Sequence, residues 1–357
     1  MREETGLVIV SVVTFFIVLP ILCGTWPYSP YYRAASSEEK EEEEDDDDSF
    51  FRSYLAGLAG GHEDNNNDSQ VTLLVTIVTV RREGQFYLSR VVARLHQLLS
   101  KDNGAGDVRV LICNVDHIPE LHQEALDLGR IYPVVQRGGQ HQQQPSSNTV
   151  INKEKEDYVF CLNASRHQMF RADYVLVLED DAVPHEDLLP VTRRVIDYLS
   201  VRRPDFFYVK LYHPERIQNY WQPEPWRIAE WLAVSVLSVF LLTLRFRLRR
   251  PFLWIVYVMV LMECLGRPHT VLRLKRWIGP AAYNLLAATE CCTLAMLFTD
   301  TSAYIASTYL SSITCTRGYA KDTALYHYAR QSQGRLQAFV VEPNLVQHIG
   351  IVSTLRF

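Results

Sequence analysis

Three consecutive carboxylates, Glu179, Asp180 and Asp181, follow the apolar run at residues 174–178 in "DYVLVLEDDAVP". Acids crowded at the end of a buried strand repel one another, and a divalent cation among them relieves the repulsion. Oxygen-only ligands favour Mg2+ or Mn2+ over zinc. Such an ion acts as a Lewis acid on a diphosphate leaving group. In a parallel α/β sheet, ligands bind beyond the carboxyl ends of the strands, where these acids would fall. The competing reading is a helix cap. An acid ahead of "AVPHEDLLP" would cap the next helix and complement its dipole, but one acid suffices for that.

The elements that would carry such a site follow an α/β grammar. "VTLLVTIVTV" (residues 71–80) is a nearly continuous β-branched run, as expected of a strand buried on both faces. Residues 86–100 repeat apolar positions at three and four, predicting an amphipathic helix. "DVRVLICNVD" is a second buried strand, "LHQEALDLG" a short helix, and "QRGGQHQQQPSSN" a loop. "KEKEDYVFCLNASRHQM" reads as a helix, followed by the acid-tipped strand, a helix at 184–194 and the strand "DFFYVKLYHP". Alternating strands and helices predict a parallel sheet. Nearer the end, "TSAYIASTYLSSI" and "AKDTALYHYARQSQ" read as helices and "LQAFVVEPN" as a strand.

Three apolar stretches interrupt this grammar. Residues 6–24 carry no charge and are long enough to cross a bilayer, for which about 20 residues are needed. The apolar core of a cleaved signal peptide is usually only about 7–15 residues long, so an uncleaved anchor is expected. Residues 231–244 and 251–266 are apolar and joined by "RFRLRR". They read as a membrane hairpin with its arginines on the cytosolic side, although each run is short for a span. The alternative is a buried or interfacial hairpin. The expected division is therefore a cytosolic tail at 1–5, an anchor at 6–24, a luminal linker at 25–70, a first domain part at 71–227, the hairpin at 228–267 and a second domain part at 268–357.

The formal charge of −5 conceals an acidic run at residues 38–48, which holds ten acids and one lysine. That run reads as a solvated spacer, with a calcium buffer as the weaker reading. The rest of the chain is only mildly basic, which excludes a nucleic-acid role. Seven cysteines form no CxxC pair, excluding the common zinc spacings. Passage through the secretory pathway makes disulfides plausible: Cys113 with Cys161, and Cys291 or Cys292 with Cys315. Asn67 and Asn163 open N-x-S sequons; Asn67, in a polar linker, is the expected glycosylation site.

"VLVLEDDAVP" resembles the metal-binding motif of the nucleotide-sugar transferases of the GT-A fold. The segments "LVTIVTVRR", "LICNVD", "KEKEDYVFCL", "KLYHPERIQNYWQPEPWRIAEW", "CCTLAMLF", "GYAKDTALY" and "VVEPNLVQHIG" resemble the post-GPI-attachment GalNAc transferases of the Golgi. The resemblance runs from residue 71 to the end, and the inserted hairpin belongs to its pattern. Arg81 stands where that pattern leads one to expect an acid.

The resemblance implies an α/β, GT-A-like transferase domain split by a transmembrane hairpin and preceded by a transmembrane anchor. It implies a three-span Golgi membrane protein with a luminal catalytic domain. The implied reaction moves N-acetylgalactosamine from UDP-GalNAc, with Mn2+ or Mg2+, to the first mannose of the GPI-anchor glycan on attached proteins. Asp181 is the first metal ligand, joined by Glu179, Asp180 and His348. His348 has the alternative of a hydrogen-bonded core histidine. Val78, Thr79 and Val80 are expected beneath the base, and Lys321 beside the phosphates. Asp322 is the general-base candidate, or merely a first-turn acid. His213, Glu215, Tyr220 and Trp221 are candidate acceptor contacts. Two other readings remain open: a luminal metal-dependent GPI hydrolase, and an inactive membrane adaptor with a transferase-like fold. The eleven histidines form no HxH or HxxxH pair, which weighs against the hydrolase.

Overall fold

Strand β1 (Val71–Thr79) lies in the middle of an eight-stranded sheet because nothing on either of its faces needs water. The chain is described by a computed structural model over residues 2–23, 31, 50–51, 53–55, 57–58, 71–82, 84–102, 105–138, 147–167, 171–214, 225–246, 248, 250–265 and 267–350. β1 pairs in parallel with β2 (Val108–Asn114) on one side and β4 (Ala172–Glu179) on the other, and β3 (Val134–Gln136) extends the β2 edge. Beyond β4 the sheet continues through β8 (Ala295–Thr299), β6 (Phe206–Lys210), β9 (Gln337–Glu342) and β7 (Asn284–Ala287).

The sheet is mixed rather than parallel. β8 runs antiparallel to both β4 and β6, and β7 antiparallel to β9. Apolar runs buried on both faces specify depth in the sheet but not direction, which is why the parallel reading was incomplete. On one face, Leu176 and Leu178 of β4 pack against helices α1 (Tyr87–Lys101) and α4 (Leu188–Arg202). On the other, Val175 and Val177 pack against α3 (Ser147–His167), α5 (Asp300–Ser312) and α6 (Lys321–Gln331). Helix α2 (Gln123–Leu128) follows β2.

The helix expected at 184–194 begins at Leu188 instead. Residues Ala182–Pro184 form a short strand, β5, paired antiparallel with β10 (Val346–His348). The register sets His348 opposite Ala182, the residue after Asp181. Cys113 and Cys161 are joined, tying β2 to α3. The expected bridge to Cys315 is not present: Cys315 is a buried free thiol, and Cys291 is joined to its neighbour Cys292. Asn163 is half-buried on α3, and Asn67 lies outside the described residues.

The chain divides into two units, Met1–Glu43 with Pro214–Ala282, and Glu44–His213 with Tyr283–Phe357; the sheet belongs to the second. The first contains helices at Arg2–Val13, Leu19–Leu22, Pro225–Phe246, Pro251–Cys264 and Arg267–Ile278, with a π-helical turn at Thr14–Val18. Within it, Thr14 and Tyr257 share a hydroxyl contact of 2.9 Å, and Phe15 meets the Tyr257 ring edge-on. Among the described residues, no helix is long and apolar enough to cross a membrane. This overturns the expected N-terminal anchor and transmembrane hairpin, and with them the three-span Golgi membrane placement. Pro251–Cys264 has 14 residues, so it spans about 21 Å against a hydrocarbon core of about 30 Å. Pro225–Phe246 is longer, but Arg227, Glu230 and Arg245 bracket its apolar middle. The N-terminal stretch is divided at the π-helical turn into short pieces.

Candidate active site

The acids at the end of β4 separate into different environments. Burial, followed by the neighbouring Asp181, pushes the Asp180 carboxyl up to about 6, while Arg82 opposes the shift. Asp180 Oδ2 accepts from Thr79 Oγ1 (3.0 Å) and Val80 N (3.2 Å), and Oδ1 accepts from Arg82 Nη2 (2.7 Å). Asp180 thus anchors the exit of β1 to that of β4. Glu179 turns the other way, accepting from Thr293 Oγ1 at 2.9 Å and pairing with Lys321 Nζ at 3.3 Å.

Asp181 is buried, yet its Oδ1 has no hydrogen-bond partner among the described residues. Its Oδ2 lies 3.3 Å from His348 Nε2 and 3.6 Å from Arg82 Nη2. The hydrogen bond to Asp181 raises the His348 pKa against the opposing effect of burial. The β5–β10 pair creates this contact, reinforced by Ile349 N donating to Asp181 O at 3.0 Å.

A cavity of about 290 Å³ opens beside these groups. Val78 and Thr79 line it from the end of β1 with Val80 just beyond, Glu179 from the end of β4 with Asp180 just beyond, and Lys321 from the start of α6, so six of the residues singled out by sequence share one cleft. Lys321 also pairs with Glu154. Burial works against its charge, but Glu154 and Glu179 together raise its pKa well above the usual lysine value. Asp322 is half-exposed outside that lining, accepting from Cys292 N at 2.9 Å and Thr323 N at 2.8 Å.

Arg82, Asp116, Glu154, Asp157 and Tyr158 also line the cleft and were missed by sequence reasoning. Asp116 ends "LICNVD" as Asp180 and Asp181 follow their strand, a signal that could have found it. Glu154, Asp157 and Tyr158 recur at three and four, one face of a helix. His213, expected at the acceptor, is buried instead. Its ring bonds Thr289 Oγ1 at 2.9 Å, and its backbone is held from both sides by Asn344. Glu215, Tyr220 and Trp221 lie outside the described residues.

The expected four-residue metal set is not assembled. Among the described residues, no group of three or more His, Cys, Asp and Glu side chains could hold a metal ion. Asp180 is committed to Arg82, Thr79 and Val80, and Glu179 to Lys321 and Thr293. Asp181 and His348 do fit a cation: one carboxylate oxygen is buried without a partner and an imidazole nitrogen faces the other. Mg2+-like ions usually take only one or two protein carboxylates and complete their shell from water and substrate phosphate. Arg82 and Lys321 are each shared between two acids.

A mixed α/β sheet with acids at a strand end beside a cleft is an arrangement suited to glycosyl transfer. The family model for GPI-N-acetylgalactosamine transferase PGAP4 matches residues 73–347, and the chain belongs to that family. Among solved structures, the chain is similar to the mannosyltransferase PcManGT from Pyrobaculum calidifontis in complex with GDP-Man and Mn2+, at 13% identity, 49% coverage of this chain, 45% of that chain and a TM-score of 0.26. It is also similar to the mannosyltransferase Ktr4p from S. cerevisiae, at 15% identity, 57% and 58% coverage and a TM-score of 0.21. The chain thus spans about half the length of these structures.

Proposed function

We propose that the protein transfers N-acetylgalactosamine from UDP-GalNAc to the first mannose of the glycan in GPI anchors already attached to protein. The observation that carries this reading is the cleft of about 290 Å³ with Val78–Val80 on one wall, Glu179, Asp180 and Lys321 on the other, and the Asp181–His348 pair beside it. Membership of this family supports the choice of sugar and acceptor class.

In this reading the uridine rests on the exit of β1, and Arg82 meets the diphosphate on its cavity side. Asp181 and His348 would hold a divalent ion, which when bound supplies positive charge to the departing diphosphate. Lys321 holds Glu179 in place rather than acting as a free phosphate cation, since two carboxylates already share its charge. Asp322 accepts the proton of the mannose hydroxyl. That oxygen forms the bond to the anomeric carbon as the bond to phosphate breaks, and UDP leaves with the bonding electrons. A single displacement of this kind inverts the anomeric centre.

The test offers purified full-length protein a panel of labelled nucleotide sugars with a GPI-anchored acceptor. Transfer from UDP-GalNAc, abolished by Asp181→Asn with thermal unfolding unchanged, is expected. Transfer from a different donor, or full activity in the Asp181→Asn protein, would refute the assignment.

A further inference from the structure

Residues 289–293 form a short loop whose contacts reach groups on four sides. Thr289 Oγ1 meets His213 Nδ1 at 2.9 Å, and Thr293 Oγ1 donates to Glu179 Oε1 at 2.9 Å. Cys292 N donates to Asp322 Oδ2 at 2.9 Å. Between them, the carbonyls of Thr289 and Cys291 both accept from Lys210 Nζ at 2.7 Å. Cys292 adopts φ +74°, a left-handed conformation that a non-glycine residue keeps only when its surroundings impose it. Its N–H is the donor to Asp322 Oδ2.

Lys210 is the last residue of β6 and is 1% exposed. Burial pulls its pKa down to about 8, against Asp322 and then Glu290. An ammonium in such a place is expensive unless it is hydrogen-bonded, and its two carbonyl partners both belong to this loop. Tyr208, two residues earlier on the same strand, presents its ring 5.7 Å away.

We infer that Lys210 is a positioning residue for the transfer reaction: by gripping the Thr289 and Cys291 carbonyls it holds the Cys292 N–H against Asp322 and so orients the carboxylate that receives the acceptor's proton. This rests on the transfer reading above. Lys210 touches no substrate; it acts through Asp322. Lys210 is not in the lining of the cleft that would bind the nucleotide, and the loop it grips reaches that lining at Thr293, beyond the two gripped carbonyls, where the hydroxyl donates to Glu179.

The experiment is a double-mutant cycle in the full-length protein, measuring kcat and donor KM for transfer to a GPI-anchored acceptor. Lys210→Gln is expected to lower kcat by at least about tenfold with donor KM changed less than about twofold. In the Asp322→Asn background the same change is expected to cost nothing further, since the group it orients is already gone. Losses that multiply, or a donor KM that rises in step with the fall in kcat, overturn the inference. Lys210→Arg keeps the buried charge and serves if the glutamine variant does not fold. Its longer side chain displaces the loop, so a lowered kcat masked by Asp322→Asn is again expected, and unchanged kcat counts against the proposal. A wild type that transfers no sugar sinks the functional reading itself, whereas an active wild type with multiplying losses sinks only the role of Lys210.

Discussion

Arg82 Nη2 donates to Asp180 Oδ1 at 2.7 Å, and the same nitrogen lies 3.6 Å from Asp181 Oδ2. The arginine follows β1, the carboxylates follow β4, and its guanidinium also rests 5.2 Å above the Tyr87 ring at the start of α1. One side chain thus joins three elements at the mouth of the cleft. Substituting Arg82 by Ala leaves Asp180, which is 3% exposed, without its charged donor among the described residues. Breaking a buried pair from one side costs about 3–5 kcal/mol. Chemical denaturation of Arg82→Ala is expected to show a loss of that order together with weakened nucleotide binding. A midpoint equal to wild type would mean that the pair contributes nothing to the fold.

His122 supplies a pH dependence of stability. It is buried, 3.0 Å from Thr79 Oγ1, and burial lowers its pKa to about 4, with Asp116 opposing and Arg81 adding to the shift. The folded pKa lies below the unfolded value of about 6.5, so the unfolded chain binds the proton first. Stability contributed by the neutral imidazole is therefore complete above pH 6.5 and is lost as pH falls towards 4. Allowing for solvent screening, the loss is about 2 kcal/mol. Denaturation midpoints between pH 7 and 4 should fall less steeply in His122→Asn than in wild type. Parallel slopes would show that His122 does not titrate in this range.

How far the site was legible follows from which of its contacts are local. The run at 174–178 announces a strand buried on both faces, and the acids after it mark its carboxyl end, so the place of Glu179, Asp180 and Asp181 could be read directly. Their partners could not. Lys321 at the start of α6 meets Glu179, and His348 on β10 meets Asp181, only through the tertiary fold; β10 is three residues long with no pattern of its own, and only the resemblance grouped His348 with Asp181. Strand direction was hidden for a similar reason, since β8 is as apolar as a parallel strand would be. The hairpin reading failed on length and charge placement, both visible in the sequence but outweighed there by the apolarity of the two runs and the arginines between them. Cys315 was assigned a partner by separation alone, which says nothing about where a thiol points.

The joined Cys113 and Cys161 close a loop across β2, α2, β3 and α3 at a sequence separation of 48. A crosslink over such a length restricts the unfolded chain and typically contributes about 2–5 kcal/mol. Cys113→Ser is expected to lower the unfolding free energy by that amount, read from chemical denaturation, and reduction of the wild type should reproduce the loss. Because both cysteines lie in the core on the β2–α3 side rather than in the cleft lining, donor KM should hold for whatever fraction stays folded. A variant as stable as wild type would mean that the crosslink does not constrain the unfolded state.

Gly350 gives the sharpest test of the Asp181–His348 pair. A Cβ added there would collide with Asp181 Oδ2 and come 2.9 Å from His348 Nε2. Both obstacles are side-chain atoms, so the backbone need not move; the pair itself has to separate. The nearest obstacle is Asp181 Oδ2, so the buried carboxylate itself has to turn away, and the partly exposed imidazole shifts with it. Gly350→Ala should therefore lower stability by about 1–3 kcal/mol, as expected of overpacking at a buried contact. It should lower transfer at least about tenfold and weaken any dependence of donor binding on added Mn2+ or Mg2+. Isothermal titration of UDP-GalNAc with and without the ion separates the two effects. Undiminished turnover in Gly350→Ala would show that the spacing between Asp181 and His348 is irrelevant to the reaction, and the pair would then have to be read as a structural contact.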